Sequence, residues 1–218
     1  MQKIDELRQL VTLHDYDIIS VTESWATAGI RNAELSVEGF SMYRVDRRVT
    51  RGGGVVLYVK ENLRSSIDNK LMSENFEDSV WCSVKTNDKR LLIGVCYRSP
   101  QSSKENNLKL LSVMDKAVNQ CGYDRILIMG DFNFRDIDYN NYSVNADDSS
   151  EAFKFFNKTQ DLYLIQNVTE ATGNEAVHKS PCWTIYLQMR IIWSITCSIS
   201  HHWGRVIMYA WFGTILLV

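Results

Sequence analysis

Apolar residues fall along this chain in short runs and spaced faces, and the pattern predicts strands alternating with helices. Ile4, Leu7, Leu10 and Val11 recur at helical spacing, so an amphipathic helix is expected first. Strands are predicted near 17–22, 40–45, 53–60, 79–85, 90–97 and 125–130, where β-branched and aliphatic residues concentrate. A helix is predicted from about Ser103 to Cys121, with Leu108, Leu111, Met114 and Val118 facing inward. Another covers roughly Ser149 to Thr159, with Ala152, Phe153 and Phe156 on its apolar side. No internal repeat and no low-complexity linker interrupts the series. Strands interleaved with helices imply an α/β domain.

The ends of these strands carry the candidate chemistry. Ile126-Leu127-Ile128-Met129 reads as a strand buried on both faces. Gly130 ends it and delivers Asp131 and Asn133, two residues apart, at the carboxyl edge where α/β sheets place their sites. A carboxylate and a carboxamide there can hold a hard metal ion or a phosphate oxygen. A plain Asp-Phe-Asn turn that satisfies backbone groups would look the same. The strand at 17–22 delivers Glu23, which could equally cap a helix start. The strand at 90–97 delivers Tyr97 and Arg98 just before a strand-ending Pro100. Tyrosines in such positions are more often half-buried aromatics than catalysts. The combination of Glu, Tyr, Asp and Asn at three strand ends is what separates the functional reading from the bland one.

Four stretches together resemble a known family: Thr22-Glu23-Ser24-Trp25, Arg51-Gly52-Gly53-Gly54-Val55-Val56-Leu57-Tyr58-Val59, Tyr97-Arg98-Ser99-Pro100 and Gly130-Asp131-Phe132-Asn133. In order and spacing they resemble the endonuclease/exonuclease/phosphatase superfamily of metal-dependent phosphodiesterases. Within it, the apurinic-type endonuclease domain of non-LTR retrotransposons is the nearer likeness, over residues 1 to about 180. The resemblance implies a four-layer α/β sandwich, two packed β-sheets flanked by helices, with the site at one end. It implies Mg2+ or Mn2+ as cofactor and DNA as substrate, nicked as the target site for retrotransposition. Glu23 would be the metal ligand. Asp131 would orient or deprotonate the attacking water, or protonate the leaving group. Asn133 would hold water or phosphate, and Tyr97 would donate to the phosphate in the transition state. The domain would be monomeric and once part of a polyprotein with a reverse transcriptase.

Composition changes this picture little. Length suits one domain with a sizeable core, or one domain plus a tail. With 24 basic and 26 acidic residues there is no overall basic signature of a nucleic-acid binder. Arg44, Arg47, Arg48 and Arg51 nevertheless crowd the approach to the glycine run, either as a solvated face with Asp46 or as a phosphate-contacting rim. Arg47, Arg48, Arg51 and Arg98 are the candidate DNA contacts. The charged opening Met1-Gln2-Lys3-Ile4-Asp5-Glu6 is unlike a secretory signal. Five scattered cysteines with no CxxC pair read as reduced thiols of an intracellular protein, nuclear or cytoplasmic. The uncharged run Val206–Val218, 13 residues, is short of the roughly 20 a membrane span needs.

Both ends depart from the family pattern, so the sandwich is expected to be incomplete at each. The family's first strand carries a metal-binding Asn, whereas Met1 here begins at the first helix. Residues 181–218 hold two charged residues, Arg190 and Arg205, and four of the six tryptophans, Trp183, Trp193, Trp203 and Trp211. The family's Leu-Asp-x-Ile and Ser-Asp-His are both missing there, and His201-His202 lacks the Ser-Asp that should precede it. The genetic code offers an explanation. Pro181 to Thr184 must be encoded CCN TGY TGG ACN, and two nucleotides later this forces Leu-Asp. Trp203-Gly204 then forces Leu-Gly, and Arg205 to Met208 permits Lys-Ser-Asp-His. Residues 181–218 are therefore expected to be an out-of-frame tail on a domain spanning 1–180. Runs such as Arg205 to Tyr209 would still favour strands, because β-branched and aromatic residues do so whatever their history. Activity in such a chain is expected to be low or absent. Two other classes stay open: a hydrolase of small phosphoesters on the same fold, such as inositol phosphates or sphingomyelin, and a non-catalytic relic.

Overall fold

The structure, a computed structural model, describes residues 2–47, 52–85, 89–139, 141–166, 184–189, 206–210 and 214–217. The chain begins with α1 (Gln2–Leu13), β1 (Ile18–Thr22), a single-turn α2 (Asn32–Leu35), β2 (Phe40–Val45) and β3 (Val55–Lys60). Next come β4 (Ser65–Ile67), the short α3 (Asn69–Met72), β5 (Ser79–Lys85), β6 (Arg90–Tyr97), α4 (Lys104–Asn119) and β7 (Arg125–Asp131). A small hairpin, β8 (Ile137–Asp138) and β9 (Ser143–Val144), precedes α5 (Glu151–Asp161) and β10 (Leu164–Gln166). Three further strands are β11 (Thr184–Met189), β12 (Val206–Ala210) and β13 (Thr214–Leu217).

Two sheets result. One runs β13-β12-β1-β3-β2 and the other β10-β11-β7-β6-β5-β4. Both are buried on both faces because their central strands are apolar at successive positions, as the unbroken aliphatic runs predict. Ile18, Val55, Leu57 and Val59 of the first sheet pack against Val80, Cys82, Val84, Ile93, Val95 and Met129 of the second. The alternate residues face outward to helices. Ile19, Val21, Val56 and Tyr58 meet Ile4 and Leu7 of α1, and Trp81, Leu92, Ile126 and Ile128 meet α4 and α5. The order helix, sheet, sheet, helix is the four-layer sandwich that the resemblance implied.

Helix phase departs from expectation. Leu108 is 59% exposed; α4 buries Met114 as expected, but with Asn107, Leu110, Val113 and Ala117, and keeps Leu111 and Val118 at the flank. In α5 the fully buried aromatic is Phe155, with Phe156 only partly covered. Ser103 and Ser150 start these helices by accepting the N–H of Asn106 and Phe153, each at 3.1 Å. A cap fixes where a helix begins but not which side faces inward. Leu108, Leu110, Leu111, Val113 and Met114 offer more than one apolar face, and the sheet selects among them.

Strands also form beyond residue 181. β11 pairs antiparallel with β7, Thr184 opposite Asp131. β12, which overlaps the run anticipated at 205–209, pairs parallel with β1. The tail tryptophans Trp183, Trp193, Trp203 and Trp211, the His201-His202 pair and the arginines Arg48 and Arg51 lie outside the described residues.

Candidate active site

β6 and β7 run parallel, with Cys96 opposite Gly130 and Tyr97 opposite Asp131. A Cβ on Gly130 would lie 1.9 Å from the Cys96 carbonyl oxygen. Glycine at this position is therefore required for the two strands to approach, and it sets Tyr97 and Asp131 side by side at the carboxyl edge. In the other sheet, β1 and β3 are antiparallel with Thr22 opposite Val55, which brings the glycine run against Glu23, Ser24 and Trp25. Ser24 N–H donates to the Gly54 carbonyl at 3.2 Å and Trp25 N–H to that of Gly53 at 3.0 Å. Gly52, Gly53 and Gly54 have φ of +89°, +74° and +79°. Three successive left-handed residues are sterically open only to glycine, and a Cβ on Gly54 would also stand 2.7 Å from Ser24 Oγ.

The chain is turned sharply at both corners. Glu23, Trp25 and Asn133 hold φ of 52°, 52° and 51°, a left-handed conformation uncommon outside glycine and most often kept where a site needs it. The Tyr97 hydroxyl donates to Glu23 Oε1, a hydrogen bond that spans the gap between the sheets. Trp25 Nε1 donates to Glu23 Oε2 at 3.2 Å. On the other side, Asn133 N–H donates to Asp131 Oδ1 at 3.1 Å, and the Asn133 carboxamide donates to the Arg98 carbonyl at 2.8 Å. Glu23, Tyr97, Asp131 and Asn133 thus stand at one end of the sandwich.

Electrostatics there is dominated by negative charge in a sheltered place. Burial pushes the Asp131 carboxyl up to about 6, the Asn133 N–H pulls it back, and the charge of Glu23 raises it further. The Tyr97 phenol is also raised, first by burial and then by its hydrogen bond to Glu23 and the charges of Glu23 and Asp131. Two carboxylates sharing a sheltered end repel each other and favour either a proton or a cation between them.

The expected arginines turn inward. Arg98 lies under the Gly-Asp-Phe-Asn turn, donating from Nε to Asn107 Oδ1 at 2.9 Å and to the Phe132 and Asn133 carbonyls at 3.2 Å each. Its guanidinium also sits 3.9 Å from the Phe134 ring centroid. Arg47 pairs with the carboxylate of Asp78, which is 0% exposed. Neither side chain occupies an open phosphate rim as expected, because buried carbonyls and a buried carboxylate claim their donors. Asp78 and Arg135 carry no signal in the linear chain. Glu77-Asp78-Ser79 has no local signature, and only the fold shows Asp78 accepting the Gly54 N–H at 3.0 Å. Arg135 is exposed, and its charge lowers the Asp131 carboxyl.

A family model described as "Endonuclease/Exonuclease/phosphatase family" matches residues 1–186. The chain belongs to this family. No curated protein matches the sequence. Among solved structures, the endonuclease domain of TRAS1, a telomere-specific non-LTR retrotransposon, is similar at TM-score 0.60 and 11% identity, covering 85% of this chain and 78% of that one. The AP endonuclease LMAP from Leishmania major is similar at TM-score 0.63 and 12% identity, over 84% and 72%. The 3′ phosphatase NExo from Neisseria, bound to a product DNA hairpin, is similar at TM-score 0.58 and 13% identity, over 86% and 81%. At such identities these likenesses establish the fold.

Endonuclease/exonuclease/phosphatase proteins are generally dependent on a divalent metal. Among the described residues no group of three or more His, Cys, Asp or Glu side chains gathers. The oxygen donors at this end are the carboxylates of Glu23 and Asp131 with the Asn133 carboxamide. They suit a hard cation in kind, and would supply part of the oxygen shell such a cation needs. No helix among the described residues is long and apolar enough to cross a membrane.

Proposed function

We propose that this chain is built as a phosphodiester hydrolase of the DNA endonuclease type, nicking target DNA for retrotransposition, and that its activity is impaired as written. The observation that carries the hydrolase reading is the Tyr97–Glu23 hydrogen bond across the two sheets, with Asp131 and Asn133 beside it. Glu23, with Asp131, would hold Mg2+, which when bound neutralises phosphate charge and stabilises the leaving oxyanion. Asp131 orients or deprotonates the attacking water, or protonates the leaving group. In the metal-free chain burial raises its carboxyl to about 6, and a bound cation would lower it and favour the charged form. Asn133, anchored through its amide on Arg98, holds water or a phosphate oxygen. The Tyr97 hydroxyl, kept protonated by its surroundings, donates to Glu23 in the resting chain and would turn its single O–H to the phosphate once Glu23 holds the metal.

The impairment rests on residues 181–218 being out of frame. In the alternative frame the forced Asp falls across the codons of Trp183 and Thr184. β11 pairs Thr184 with Asp131, so that frame would set a further carboxylate beside Asp131 at the same edge. The place in the sheet that the codon argument gives this Asp is what supports the frameshift reading. Loss of a general acid or base typically costs about 10²–10⁴ in rate.

The test is supercoiled plasmid with magnesium. The chain as written should leave it closed, and a version whose frame is restored near Pro181 and which is preceded by the family's first strand should nick it, with loss of nicking on Asp131→Ala. Efficient nicking by the unaltered chain would overturn the impairment. A restored chain that hydrolyses small phosphoesters but leaves DNA untouched would overturn the endonuclease reading in favour of a phosphatase.

A further inference from the structure

Arg47 and Asp78 come from different sheets and meet at the site end. Arg47 follows β2 in the five-stranded sheet, and Asp78 immediately precedes β5 in the six-stranded one. Around them converge the parts that shape the site. Asp78 Oδ1 accepts the Gly54 N–H at 3.0 Å, and its main-chain carbonyl accepts the Tyr97 N–H at 2.8 Å. Its other carboxylate oxygen takes the Arg47 guanidinium, which in turn lies 5.6 Å from the centroid of the Tyr97 ring. The space that guanidinium fills exists only because residue 53 has no side chain. A Cβ there would come within 2.5 Å of the Arg47 Cζ. One ion pair therefore touches the glycine run that frames Glu23, the backbone of Tyr97 and the face of its ring.

We propose that Arg47 and Asp78 form a positioning pair that holds the Tyr97 hydroxyl in place against Glu23, and that Arg47 acts there rather than on substrate. This deepens, and rests on, the hydrolase reading above. A buried ion pair contributes little net stability against an apolar replacement, so retention of this one suits a role in fixing geometry. Arginine fits the task because its planar guanidinium can pair with a carboxylate and lie over a ring at once, which a lysine ammonium cannot.

The test places 3-fluorotyrosine at position 97 and follows its fluorine resonance in the full chain, with thermal unfolding measured alongside. The double variant Arg47→Met/Asp78→Asn leaves no charge stranded. It should shift and broaden the resonance by more than its original linewidth. Arg47→Lys keeps a cation beside Asp78 and should move the resonance the same way by less. If both variants leave its position and width unchanged, the pair is only structural and the proposal falls, whatever happens to the unfolding temperature. Should the double variant fail to fold, the Arg47→Lys result alone decides in the same way. The resonance is read without metal, substrate or turnover, so a failure of the hydrolase reading would appear in the plasmid assay and not here.

Discussion

Asp78 and Asp131 stand at the same end of the sandwich, yet the chain surrounds them with opposite chemistry. Asp78 is met by the Arg47 guanidinium and the Gly54 N–H, and its charge is neutralised inside the protein. Asp131 is met by the Asn133 N–H, which lowers its carboxyl, while burial first and the charge of Glu23 second raise it to about 6. The first arrangement consumes the charge in holding the two sheets together. The second preserves a strained charge at a strand edge, where a proton, a cation or a phosphate can respond to it. Burial of an acid does not by itself mark a working group; the nature of its partner does.

The contrast is most exposed to breakage at Arg47. Arg47→Met should strand the Asp78 carboxylate and cost about 3–5 kcal/mol in chemical denaturation, the range for an uncompensated buried charge. A loss below about 1 kcal/mol would mean that Asp78 finds other donors and that the two acids differ less than described.

Asp131→Asn should act in the opposite direction. The folded-state carboxyl is raised from 3.8 to about 6, so folding favours the protonated form. The resulting stability is present in full below the unfolded value and is lost as pH rises through about 6. The variant should therefore gain at most about 3 kcal/mol over the parent at pH 8, at roughly 1.4 kcal/mol per pH unit. Near pH 4 the gain should be small, and an equal gain at both values would refute the raised carboxyl.

Magnesium offers a reversible version of the same relief. At ten times its dissociation constant it should stabilise the folded chain by about 1.4 kcal/mol at pH 7.5 and by less at pH 5, where Asp131 is protonated. Chelation should abolish the difference, and Asp78→Asn should leave the metal's effect in place if the two acids are as distinct as described. The smallest effect expected is that of Trp25→Phe. It removes the indole N–H from Glu23 Oε2 and should cost about 1 kcal/mol.

Much of the site was legible in the linear chain because each part is local. Glu23, Tyr97 and Asp131 close apolar runs, and a strand that ends in a turn presents its last polar residue at the sheet edge whatever surrounds it. Six strands were placed from the same pattern, and all six are present with shifts of a residue or two at their ends. The family motifs added an ordering of these ends into one constellation, which spacing alone does not supply.

What only the tertiary structure decided involves partners distant in sequence. Arg47 read as a surface cation until the fold brought it to Asp78, 31 positions away, and no periodicity encodes that meeting. Arg98 likewise read as a phosphate contact until the turn at 130–133 closed over it and claimed its donors. The inward face of α4 depended on which side the six-stranded sheet lay, because its leucines point in more than one direction. Periodic apolar residues specify that an element buries a face, since that follows from local backbone geometry. Which face is buried, and which charges neutralise one another, follows from desolvation, and desolvation exists only once the layers have packed.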